Sequence, residues 1–90
     1  MNSVATPRFW KLYRELPDEV RELADKNYRL WQANPFHPSL HFKPLDGELW
    51  SARVGIHYRA IGVFDADDAF CWTWIGHHEA YDRLCRTLRP

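Results

Sequence analysis

Apolar and polar positions along this chain change rhythm near its middle. Thr6-Pro7 reads as a helix start, with threonine as N-cap and proline at the first helical position. Phe9, Leu12, Tyr13 and Leu16 then recur at helical spacing. Pro17 interrupts the run, and Asp18 and Glu19 place negative charge in the first turn of a second helix. That helix carries Val20, Leu23, Ala24, Asn27, Leu30 and Trp31 on its buried face. Arg21, Glu22, Asp25, Lys26 and Arg29 lie opposite, and their mixed signs describe a solvated face. Asn34-Pro35 stops the helix, so the first half is predicted to be a helical hairpin with a short turn.

Beyond Pro35 the period falls to two. Pro38 and Pro44 bracket Leu40-His41-Phe42, a short strand at best, and Asp46-Gly47 marks a turn. Trp50, Ala52, Val54 and Ile56 alternate with Ser51, Arg53, Gly55 and His57, the pattern of a half-buried strand. Tyr58 to Phe64 is predicted to continue as a further strand, and Asp65-Ala66-Asp67-Asp68 to form an acidic turn. In the last strand Phe70, Trp72 and Trp74 alternate with Cys71, Thr73 and Ile75, and Gly76 ends it. Glu79 to Leu88 reads as a closing helix with Tyr81, Leu84 and Leu88 on one side. Helices followed by antiparallel strands predict an α+β fold with the helices packed on one sheet face. No repeat, linker or low-complexity segment divides the chain, so residues 1–90 are expected to form one domain.

Composition narrows the function classes. Ninety residues can bury roughly 60–68% of their unfolded surface, enough for one modest core. Five tryptophans suit a core built from few residues. Twelve basic residues balance twelve acidic ones, which excludes a grossly basic nucleic-acid coat protein but not a local basic patch. Cys71 and Cys85 have neither the number nor the spacing of a disulfide framework or zinc pair, and read as reduced thiols. No apolar run approaches ~20 residues, so no membrane span is expected. Met1 to Ala5 lacks the charged and apolar regions of a signal peptide, and a cytoplasmic location is expected.

The chain has no Gly-rich phosphate loop, HExxH motif or nucleophile elbow. His77 and His78 are adjacent after a strand, so their side chains are expected to diverge. Pro38 argues against a helix joining His37 to His41, and no metal site is expected. Basic residues, by contrast, punctuate successive strands: Lys43 beside the first, Arg53 in the second, Arg59 in the third and His78 just past the fourth. Strands about 4.8 Å apart can align such groups into one band. Arginine binds phosphate bidentately, and histidine exchanges protons near neutral pH. Together they suit RNA cleavage by the RNA's own 2′-hydroxyl, with cations stabilising the phosphorane and aromatic neighbours stacking bases. The alternative is that Arg53 and Arg59 pair with Asp46, Glu48 or the Asp65–Asp68 turn as surface ion pairs.

The ordered set Thr6-Pro7-Arg8-Phe9, Leu16-Pro17-Asp18-Glu19-Val20, Asn34-Pro35 to His37-Pro38, and Leu40-His41-Phe42-Lys43-Pro44-Leu45 resembles the start of the RelE/ParE toxin superfamily. Trp50-Ser51-Ala52-Arg53-Val54 and Tyr58-Arg59-Ala60-Ile61 are similar to its central strands. Trp74-Ile75-Gly76-His77-His78-Glu79-Ala80-Tyr81 is similar to its ending. The resemblance covers about residues 6–85. It implies a helical hairpin on a three- to four-stranded, mainly antiparallel sheet with a C-terminal helix. The family's first strand is then missing or vestigial here, since five residues precede the first helix. It also implies a toxin of a type II toxin–antitoxin system, neutralised by an antitoxin protein and cleaving ribosome-bound mRNA without a cofactor, or else blocking DNA gyrase. By that resemblance Arg59, Arg53, Lys43, His78 and Tyr81 are the catalytic positions, with His41 and His77 beside Lys43 and Arg53 for RNA binding.

Overall fold

The computed structural model describes residues 2–88. Its elements run β1 (Ser3–Ala5), α1 (Pro7–Arg14), α2 (Asp18–Ala33), a 3-10 turn at Pro38–Leu40, β2 (Lys43–Pro44), β3 (Leu49–Val54), β4 (Tyr58–Phe64), β5 (Phe70–His77) and α3 (His78–Leu88). The strands form one five-stranded sheet in the order β1-β5-β4-β3-β2. Every pairing is antiparallel except β1 with β5, which is parallel.

The helical hairpin forms as its signals dictate. Thr6 caps α1, accepting from the Phe9 N–H at 3.1 Å, and Pro7 occupies the first turn. Arg21 ties the hairpin corner by donating to the carbonyls of Arg14 and Leu16 and pairing with Asp18. Tyr13 of α1 donates to Asp25 of α2 at 2.7 Å. That hydrogen bond, followed by partial burial and the Asp25 charge, raises the Tyr13 phenol above its ordinary pKa.

One face of the sheet lies against this hairpin. Trp31 is 1% exposed, and its ring meets Phe42, Phe70 and Trp72 at centroid separations of 5.7, 5.5 and 5.1 Å. Ala52, Val54, Ala60 and Ile75 fill the strand side of the same cluster. Edge-on ring contacts of this kind add about 0.5–1.5 kcal/mol per pair beyond area burial.

Several expectations are corrected. The sheet has five strands rather than three or four, because the β1 segment does pair: Ser3, Val4 and Ala5 lie opposite Phe70, Cys71 and Trp72. Of the two alternatives for the first strand, missing or vestigial, the structure shows the second, a strand of three residues, and the α+β class stands. Leu40-His41-Phe42 is not a strand, since Leu40 ends the 3-10 turn and His41 caps it with φ of +47°. The strand begins at Lys43 instead. Ile56 does not extend β3; it is 78% exposed in a turn that starts at Gly55, whose φ of +68° favours glycine. The side chains of Leu84, Cys85 and Leu88, placed by the sequence pattern in the closing helix, lie outside the described residues.

Candidate active site on the second sheet face

Alternation along the strands sends a second set of side chains to the face away from α1 and α2. Arg53 and Arg59 are register partners across β3 and β4, so their Cβ atoms are about 5 Å apart. Lys43 pairs with Ser51, two residues before Arg53, and therefore belongs to the same face one row along. Lys43 is exposed at the sheet edge, and both arginines are half-buried. On the other side of Arg59 stands Gly76 of β5. A Cβ there would lie 2.7 Å from the Trp74 ring, so the glycine leaves the indole room to lie against the strand. Trp74 reaches this face because Thr73 is an extra residue in β5: Ile61 pairs with Trp74 but Gly62 with Trp72. Such a bulge reverses which side chains face the core. Ser51, Ile61 and Trp74 are buried in this row, and α3 packs against β4 and β5.

Like charges directly opposite each other destabilise a sheet. Among the described residues no carboxylate pairs with Arg53 or Arg59, and Arg59 donates to the Tyr58 carbonyl at 2.9 Å. Arg53 Nε is buried with no hydrogen-bond partner. The alternative of surface ion pairs is therefore overturned for these two residues. The acidic turn is occupied with itself, since Asp65 accepts from the N–H groups of Asp67 and Ala69 at 2.8 and 3.0 Å. Two guanidiniums side by side offer donors of the geometry that a carboxylate or phosphate accepts bidentately.

His78 opens α3 just past the strand end. Its N–H donates to the His57 carbonyl at 2.7 Å, which extends the β4–β5 ladder by one step. Its Nδ1 is 3.9 Å from Asp82 one turn on. No hydrogen bond or ion pair joins His78 to Arg53 or Arg59 among the described residues; the histidine stands at the end of the strand that borders them. Tyr81, half-buried, follows on α3. His41 is exposed, two residues before Lys43.

The divergence expected of His77 and His78 is wrong. Their ring centroids are 4.4 Å apart, and the His57 ring lies 6.1 Å from one and 6.0 Å from the other. The strand turns directly into a helix at this point, so ordinary alternation fails. His57 was missed altogether. Its signal is the hairpin register: if Tyr58 opposes His77, the residues just outside them, His57 and His78, must also meet.

No protein-family model matches this sequence, and no curated protein matches it. Solved structures do resemble it. YafQ from E. coli strain BL21(DE3) superposes with a TM-score of 0.71 at 15% identity, over 89% of this chain and 96% of that one. The RelB–RelE antitoxin–toxin complex from Methanococcus jannaschii gives 0.70 at 20% identity, over 89% and 96%. A YoeB/ParE toxin from Agrobacterium tumefaciens gives 0.68 at 20%, over 87% and 99%. With almost the full length of each neighbour matched, this chain has the fold of the RelE/ParE toxin superfamily.

Proposed function

We propose that this chain is the toxin of a type II toxin–antitoxin system and that the sheet face carrying Arg53 and Arg59 cleaves ribosome-bound mRNA. The observation that carries the reading is the Arg53–Arg59 pair: opposed like charges, no carboxylate partner among the described residues, and a buried Arg53 Nε with no hydrogen-bond partner. A phosphate diester supplies the missing negative charge and acceptors. Cleavage then follows from the RNA's own chemistry. The 2′-oxygen bonds to phosphorus as the bond to the 5′-oxygen breaks. Arg53 and Arg59 stabilise the charge on the equatorial oxygens. The 2′-hydroxyl gives up a proton and the departing 5′-oxygen takes one; His78 makes one of these transfers and water the other. Lys43, His41 and His77 hold the flanking backbone, and Tyr81 supports the nucleotide at the site. No cofactor is required by this route.

The partner is an antitoxin. Val4, Trp10 and Tyr28 are exposed and line one cavity of about 200 Å³ beside β1 and α1. Trp10 is 45% exposed, and an extended segment rich in apolar side chains suits that surface. Among the described residues no helix is long and apolar enough to cross a membrane, and a cytoplasmic site of action follows from the ribosomal substrate.

The test adds purified protein to translating ribosomes. Products carrying a 2′,3′-cyclic phosphate and a 5′-hydroxyl are expected, EDTA should not stop the reaction, and His78→Ala should slow it by roughly 10²–10⁴. A second reading is favoured by the zero net charge, which gives little long-range steering to RNA. It makes the protein a gyrase-blocking toxin of the ParE kind. Growth arrest with intact ribosome-bound mRNA would decide for it.

A further inference from the structure

We infer that His57, His77 and His78 form a binding site for a late transition-metal dication of the zinc, copper and nickel class. The three residues come from separate places in the local structure: the β3–β4 turn, the last position of β5 and the first position of α3. One ring nitrogen from each lies within 4.8 Å of the other two. Zinc–imidazole bonds of about 2.0–2.1 Å place tetrahedral nitrogens about 3.4 Å apart, so each ring has to move inward by less than about 1 Å. The backbone is already fixed for this, because the His78 N–H is bonded to the His57 carbonyl and joins the turn to the helix.

The surroundings fit a metal as well. An all-imidazole set selects zinc, copper or nickel over magnesium and calcium, which require oxygen ligands. Asp82 stands 3.9 Å from His78 Nδ1, close enough to take up that N–H after a small shift when the ring's other nitrogen binds an ion. His77 Nδ1 accepts from the Glu79 N–H at 3.2 Å, and a metal taking that lone pair displaces one exposed hydrogen bond. His57 is exposed and the other two are half-buried, so solvent reaches the fourth position.

Metal binding is independent of the nuclease reading. One consequence rests on that reading: an ion seated here withdraws His78 from proton transfer, and zinc then inhibits cleavage. The test is calorimetric titration of the tag-free full chain with zinc chloride, with magnesium chloride as control. Wild type is expected to bind one zinc ion and no magnesium. Asp82→Asn should weaken zinc binding by about tenfold, and His57→Ala by more. His57→Ala retains His78, so any ribosomal cleavage by this variant should persist in zinc. Zinc affinity unchanged in His57→Ala, or no zinc bound by wild type, overturns the site. Normal zinc binding without any cleavage would count against the nuclease reading alone.

Discussion

The two faces of the sheet are built from alternate residues of the same strands, yet they do opposite things to stability. Under the hairpin, Trp31, Phe70 and Trp72 pack ring against ring, and each contact lowers the free energy of the folded chain. On the other face, Arg53 opposes Arg59 and the Arg53 Nε is buried without an acceptor. Leaving such a group unpaired costs about 1–3 kcal/mol or more. That cost is a sizeable share of the roughly 5–15 kcal/mol by which a domain is stable, and under the proposed function an RNA phosphate offsets it. The aromatic face supplies the stability that the cationic face draws on.

The comparison breaks most severely at Trp31. Trp31→Ala should remove about 3–5 kcal/mol of stability, read as a shift in the urea midpoint, because it empties the centre of the aromatic cluster. A loss below about 1 kcal/mol would mean that the helical face does not carry the fold. Gly76→Val should cost less, about 1–3 kcal/mol, since its Cβ would press on the Trp74 ring at 2.7 Å. It should also impair cleavage, because Gly76 is the register neighbour of Arg59.

Tyr13→Phe, on the helical side, should have the smallest effect, about 1 kcal/mol or less at neutral pH, through loss of the 2.7 Å bond to Asp25. Its pH dependence is the sharper readout. The folded-state pKa of Tyr13 is raised, so its contribution is fully present below the unfolded tyrosine pKa of about 10 and is lost as pH rises through the higher folded value. Wild type should therefore lose stability in that alkaline window by an amount the variant does not lose. Parallel curves for the two proteins would remove the hydrogen bond from the account.

Legibility in the sequence followed the range of the interactions. The hairpin was readable because Thr6, Pro7, Pro17 and Asn34 are local signals with local consequences. Arg53 and Arg59 were readable as residues of neighbouring strands, but their direct opposition was not, since the alternation ran on through Gly55 to His57 and hid the turn that sets the register. Features set by distant partners were not. Three residues at Ser3–Ala5 have no strand signal of their own and pair because β5 offers a free edge. The bulge at Thr73 shows only in the pairing of β5 with β4, where Ile61 meets Trp74 and Gly62 meets Trp72. The histidine cluster needs the β4–β5 register, the turn before β4 and the abrupt start of α3 together.

The central claim is that Arg59 is held for substrate and not for the fold. Arg59→Ala, compared with wild type for thermal stability and for cleavage of ribosome-bound mRNA, tests it directly. The account predicts that removing one of two opposed cations leaves the melting temperature unchanged or higher, while cleavage falls by roughly 10²–10³. A variant that melts several degrees lower yet cleaves at the wild-type rate would contradict it.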